Sequence, residues 1–205
     1  MDKINLKDLT LEELQDYIIN LGEPKFRALQ IYKWIYSGVR NFEEMTNISK
    51  TLRDKLKSNT TIGNLAINKK FISTLDGTRR YLIQLSDNNY IESVLMKYKH
   101  GYSICISSQV GCAMGCKFCA STKNGKIRNL SAGEIIDQII TVERDVGERI
   151  SNVVISAPAL IPIAKPAPVL NGGYHILCLE NPGLLGLYNP AAPPVAHNTF
   201  LALIS

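Results

Sequence analysis

The chain is predicted to be an α/β protein, with a helical domain and a short antiparallel meander ahead of its parallel part. Three successive patterns predict this. Between Thr10 and Lys57 apolar residues recur every three to four positions, and between Ala66 and Lys97 they alternate. From Tyr102 to Ile155 a strand, a loop, a helix and a second strand follow one another. The first spacing is that of amphipathic helices and the second that of half-buried strands. The third is one βαβ unit, the start of a parallel sheet or barrel with its ligand loop at the carboxyl end of a strand.

Thr10-Leu11-Glu12-Glu13 is a capping box opening a first helix, with Leu11, Leu14, Ile18 and Leu21 on one face and Gly22 as its stop. Pro24 suits the first turn of a second helix, in which Phe26, Leu29, Ile31, Trp34 and Ile35 are expected inside. A further short helix is expected over Asn41 to Lys57. The meander comprises Ala66 to Ser73, Arg79 to Leu85 and Tyr90 to Lys97, joined at Asp76-Gly77 and Asp87-Asn88-Asn89. Glu92 stands in its third strand, where a carboxylate on an alternating strand ordinarily faces solvent. Leu130-Ser131-Ala132-Gly133-Glu134 is a second capping box, opening a helix through Val142.

The 205 residues carry a net charge of +5 and a pI near 8.9, which permits a polyanionic partner without requiring one. Lys25, Arg27, Lys33 and Arg40 concentrate positive charge in the helical domain, either as a nucleic-acid surface or as a solvated outer face. No run of about 18 apolar residues predicts a membrane span. The five cysteines are odd in number and three crowd into one loop, which argues for metal chemistry in a reducing cytoplasm and against a disulfide framework. After Ile155 the composition changes: eight of nine prolines lie in the last fifty residues, where Lys165 and Glu180 are the only charged residues. An irregular or disordered tail is expected there.

The expected divisions are a helical accessory domain at 1–60, the meander at 61–100, a core with the cysteine loop at 101–155 and the tail at 156–205. In the core, Cys112, Cys116 and Cys119 stand at C-x3-C-x2-C spacing with Phe118 before the last thiol. Three thiolates from one loop hold three irons of a [4Fe-4S] cluster and leave the fourth open to a small molecule. Structural zinc takes four ligands, and no fourth Cys or His stands at zinc-finger spacing, so a zinc-stabilised module is the lesser alternative. His100, His175 and His197 read as ordinary surface or loop histidines.

This motif resembles the signature of radical S-adenosylmethionine (SAM) enzymes. The stretch from Cys105 through Gln109-Val110-Gly111 to Ala120 resembles one branch, the dual-specificity RNA adenine-C2 methyltransferases of 23S rRNA and tRNA. Gly22-Glu23-Pro24-Lys25-Phe26-Arg27-Ala28, Ile91-Glu92-Ser93-Val94 and Asn129 to Ile135 extend the resemblance. It implies a partial (βα) barrel behind an RNA-binding accessory domain, in a cytoplasmic, monomeric enzyme served by flavodoxin or ferredoxin. It also implies a [4Fe-4S] cluster on Cys112, Cys116 and Cys119, with SAM on the open iron giving a 5′-deoxyadenosyl radical. That radical would act on a methyl group carried by a cysteine, and the product would add to C2 of adenine. Glu92 matches the proton acceptor, which overturns its reading as mere surface. Cys105 matches the thiol that resolves the enzyme-RNA crosslink through a transient disulfide. A C8-methylating sister enzyme and a non-catalytic RNA-binding remnant stay open as alternatives.

Where the family continues into a Met-Gly-x-Gly-Glu-Pro type SAM-binding turn, this chain has Ile155-Ser156-Ala157-Pro158-Ala159-Leu160. The methyl-accepting cysteine is not found either, and Cys178 has neither its position nor its context. The tail therefore reads as a frameshifted or foreign segment, and the chain as impaired or inactive in catalysis.

Overall fold

The computed structural model describes residues 3–99, 101–114, 116–117, 119–156 and, by backbone, 175–179. Expectations for His100, Phe118, His197 and the rest of the tail lie outside these residues.

A short parallel pair, β1 (Ile4–Asn5) with β2 (Thr60–Thr61), brings the two ends of the helical region together. Helix α1 (Leu11–Asn20) begins as its capping box predicts: the Thr10 hydroxyl accepts from the Glu13 amide, and the Glu13 carboxylate accepts from the Thr10 amide at 2.8 Å. In α2 (Phe26–Tyr36) the buried stripe is Ala28, Ile31 and Ile35. Phe26 and Leu29, expected inside, are 57% and 44% exposed. At 3.6 residues per turn a stripe through 28, 31 and 35 turns 26 to the far side and leaves Trp34 on the flank. Trp34 Nε1 donates to Asn47 Oδ1 at 2.5 Å. The single helix expected over Asn41 to Lys57 is two pieces, a 3-10 turn at Phe42–Glu44 and α3 (Lys50–Asn59). Asn41 and Ser49 each cap a new start, which is why the run divides. Leu14, Ile18, Ile31, Ile35, Leu52 and Leu56 form the centre of this region's core.

Six of the remaining strands form one sheet, in the order β10 (His175–Leu179), β9 (Ile150–Ser156), β6 (Gly101–Ser107), β5 (Tyr90–Tyr98), β4 (Arg79–Gln84) and β3 (Ala66–Ile72). The expected meander is β3 (Ala66–Ile72), β4 (Arg79–Gln84) and β5 (Tyr90–Tyr98), and it continues by an antiparallel pairing into β6 (Gly101–Ser107). From β6 the chain passes through a two-stranded ribbon, β7 (Gln109–Gly111) with β8 (Lys126–Asn129), into α4 (Ala132–Val146). It returns as β9 (Ile150–Ser156), parallel to β6, completing the predicted βαβ unit. Ser131 caps α4 in the second capping box, and Gly147 closes it in the left-handed conformation. Helix α4 covers one sheet face, its Ile136, Ile139 and Ile140 meeting Ile83, Leu95, Ile104 and Val153.

Residues 175–179 depart from the irregular tail that its prolines predict. They form β10 (His175–Leu179), parallel to β9. The five residues fall in a proline-free run, and the outer edge of β9 offers unpaired backbone donors and acceptors for a further strand.

Tyr36 packs against both cores, and a buried ion pair joins them. Lys7 Nζ pairs with the Asp137 carboxylate of α4, with both side chains inaccessible, and also donates to Gly63 O at 2.9 Å. Burial pushes Lys7 down and Asp137 up from their ordinary values, and mutual attraction opposes both shifts. Asp8 accepts from the Gly133 amide at 2.7 Å, so the helical region is held to the start of α4. A side chain at Gly133 would meet Asp8 Oδ1 at 2.9 Å and Asn5 Nδ2 at 2.6 Å, so the approach requires glycine.

Candidate active site

At the carboxyl end of β6 the chain leaves the sheet through a junction that Gln138 holds. The Gln138 side chain of α4 accepts from the Ser107 amide at 2.9 Å and donates to the Ser107 carbonyl at 2.9 Å, as a neighbouring strand would. Its oxygen also accepts from Ser93 Oγ of β5 at 3.0 Å. Gln138 and Ser93 are wholly buried, and nothing in their spacing marks them as a pair. A buried amide inside an otherwise apolar helix face is the signal that finds Gln138 in the sequence.

The ribbon β7–β8 then carries the cysteine loop. Gly111 has φ +71°, and a Cβ there would stand 2.0 Å from the Gly125 carbonyl oxygen, so the loop closes only on glycine. The Cys112 amide donates to that same Gly125 oxygen at 3.2 Å. Inside the loop the Cys119 amide donates to Cys116 O at 3.1 Å. Thr122 Oγ1 lies 3.0 and 2.9 Å from the Cys116 and Cys119 carbonyl oxygens. Arg128 anchors the ribbon, with one hydrogen bond to Asp87 at 2.7 Å and two to Glu134 at 2.7 and 2.8 Å. The Arg128 guanidinium holds the Asp87 carboxyl down at about 2.

Cys112 is buried, Cys116 and Cys119 are half-buried, and all three are free thiols. Three soft donors on one loop suit an iron-sulfur cluster in number and kind. Among the described residues no group of three or more His, Cys, Asp or Glu side chains is gathered for a metal ion. The buried Gln109 Nε2, at the foot of the loop, is a donor without a hydrogen-bond partner among the described residues.

Strand register places the other two predicted residues. Glu92 of β5 lies opposite Leu82 of β4 and is 56% exposed at its side chain, and Ser107 Oγ donates to its carbonyl at 2.8 Å. Cys105 of β6 lies between Val94 of β5 and Val154 of β9. Residues alternate between faces along a strand, so Glu92 and Cys105 share the face turned away from α4. Cys105 is half-buried and free, and burial pushes its thiol up to about 11. Cys178 pairs in register with Ile155, one position off the row of Cys105 and Val154.

Residues 4–62 match the family model described as the ribosomal RNA large subunit methyltransferase N-terminal domain. The fold resembles a crystal structure of a radical SAM methyltransferase from Sphaerobacter thermophilus, with TM-score 0.66 and 38% identity over 74% of this chain and 46% of that one. Fold and sequence over this part are thus similar to a radical SAM methyltransferase. Two curated relatives, each named "Probable dual-specificity RNA methyltransferase RlmN", share 58% identity over 155 residues (Alkaliphilus oremlandii) and 55% over 155 residues (Alkaliphilus metalliredigens). The match covers 76% of this chain in both cases, and 45% and 44% of the relatives. Over that matched part the chain is similar to the proteins named as dual-specificity RNA methyltransferases. It spans less than half the length of those relatives. No helix among the described residues is long and apolar enough to cross a membrane.

Proposed function

We propose that this chain corresponds to the RNA-binding and cluster-bearing part of a radical SAM methyltransferase acting on C2 of adenine in 23S rRNA and tRNA. In its present sequence it binds cluster and RNA without completing turnover. The observation that carries this reading is that Glu92 and Cys105 share one sheet face on β5 and β6, and that the cysteine loop follows directly from β6. Residues 1–60 serve as the RNA-binding domain, 61–100 lead into the core and 101–155 hold the cluster loop, in a monomeric, cytoplasmic protein reduced by a flavodoxin or ferredoxin.

Cys112, Cys116 and Cys119 would hold three irons as thiolates. When bound, a [4Fe-4S] cluster with SAM at its open iron supplies one-electron cleavage of SAM to a carbon radical. Glu92, half exposed and an acceptor when ionised, takes the proton from the adenine carbon at a carboxylate oxygen. Cys105 resolves the crosslink: it gives up its proton, its sulfur bonds to the bridging sulfur, and the bond from that sulfur to carbon breaks as the carbon takes a proton. Burial keeps Cys105 protonated until that moment, which protects it from oxidation. The residues at 156–160 lack the SAM-binding turn, and no cysteine of this chain fits the methyl-carrying role.

Anaerobic reconstitution followed by iron and sulfide analysis tests the cluster, with about four irons per chain expected and a Cys116→Ala chain losing them. Incubation with SAM, reductant and unmodified rRNA, read by nucleoside mass spectrometry, is expected to yield no C2-methyladenine. Clear product overturns the inactive reading. A second reading, an RNA-binding remnant without a cluster, is favoured by the thiols not being gathered for a metal among the described residues. Salt-dependent RNA binding by an iron-free chain would establish it, whereas stoichiometric zinc would make the loop a structural module.

A further inference from the structure

We propose that Phe71 and Arg80 form the contact for the nucleotide beside the target adenine, and that Arg80 exchanges Glu92 for an RNA phosphate when RNA binds. The proposal rests on the RNA reading above. Strand register runs straight from the sheet edge to the resolving thiol: Phe71 lies opposite Arg80, Arg80 opposite Val94, and Val94 opposite Cys105. All four therefore occupy one row on the face turned away from α4. Arg80 and Cys105 stand two strand spacings apart, about 10 Å. A strand of RNA that presents its adenine beside Glu92 and Cys105 thus runs its next nucleotide along this row.

The chemistry of the pair suits that neighbour. The Arg80 guanidinium carbon sits 4.9 Å from the centre of the Phe71 ring, a cation-π stack presenting a planar surface and a positive charge together. Unpaired bases stack on such surfaces, and a guanidinium fork receives phosphate oxygens. Phe71 is 48% exposed on the edge strand and belongs to neither core, so the fold has little use for an aromatic ring there.

The guanidinium is already engaged, but weakly. Arg80 Nη1 lies 3.8 Å from Glu92 Oε1, a diagonal contact across β4 and β5 between side chains that are 52% and 56% exposed. An exposed pair at this separation contributes little and yields readily to a phosphate. The exchange leaves Glu92 unpaired only when substrate is present, which couples the proton acceptor to RNA binding.

The test uses the whole chain, reconstituted anaerobically, and a fluorescein-labelled RNA hairpin with an unpaired adenine followed by 2-aminopurine. Arg80→Ala is expected to weaken binding about tenfold and to reduce the magnitude of the log-log salt slope by about 0.7, the loss of one phosphate contact, while Arg80→Lys keeps the slope. Glu92→Gln is expected to tighten binding about threefold, because it releases Arg80, and that gain should vanish when Arg80→Ala is also present. Phe71→Ala should abolish 2-aminopurine quenching and Phe71→Tyr should retain it. A Glu92→Gln gain that persists without Arg80, no gain at all, or a salt slope indifferent to Arg80→Ala would overturn the proposal. A chain that binds RNA independently of Arg80 overturns this proposal alone. A chain that takes up iron but binds no RNA overturns the RNA reading with it.

Discussion

The two faces of the central sheet are made from the same strands and do opposite work. On the side under α4, β4, β5, β6 and β9 present Ile83, Leu95, Ile104 and Val153, all close to inaccessible. On the other side β4, β5 and β6 present Arg80, Glu92 and Cys105, titratable groups none of which is fully buried. Alternation along a strand lets one face carry stability while its neighbours stay available for reaction. The polar residues under α4 are there to hold position: Gln138 pins the end of β6, and Lys7 with Asp137 fastens the helical region.

Removing one member of the buried pair tests the covered side most severely. Lys7→Met strands Asp137 and is expected to cost about 3–5 kcal/mol in urea unfolding. Lys7→Met with Asp137→Leu should recover most of that loss, and a double variant as unstable as the single would show that charge is not the cause. Ile104→Ala should cost about 3 kcal/mol while iron per folded chain stays unchanged, whereas Glu92→Gln should stay within about 0.5 kcal/mol of the parent. Equal losses would erase the difference between the faces. Gln138→Ala leaves the Ser107 amide and carbonyl without their side-chain partner, for about 2 kcal/mol, and hydrogen exchange should quicken at Ser107 before the core strands change.

The smallest effect is read by pH. With its thiol raised from 9.0 to about 11, Cys105 should react with iodoacetamide slowly at pH 9 and reach half its full rate only near pH 11. Keeping the proton favours the folded state below pH 9, and that advantage is lost as pH rises through about 11. Quantitative mass spectrometry of the Cys105 peptide checks this, and half-maximal alkylation at pH 9 would show that burial does not govern the thiol.

What could be read from residues alone depended on how far apart the interacting groups lie. Thr10 with Glu13 and Ser131 with Glu134 are three residues apart, so both helix starts were legible. The alternating segments predicted β3, β4 and β5, and the βαβ unit followed from its order of elements. The helical period places Phe26 inside, because a period reveals a stripe without saying which flanking residues its neighbours cover. β10 went unseen because its pairing to β9 depends on a sheet edge formed elsewhere in the chain.

The sequence by itself determined the types of element, their caps, the three thiols at their spacing and the family that these resemble. Those are local, set by backbone preference and by residue identity over a few positions. Only the tertiary structure decided that Phe71, Arg80, Val94 and Cys105 share one row, and that Gln138 completes the hydrogen bonds of Ser107 from 31 residues away. Register between strands and the closing of one core upon another come from pairings across long loops, and their cooperative energy is not written in any single segment.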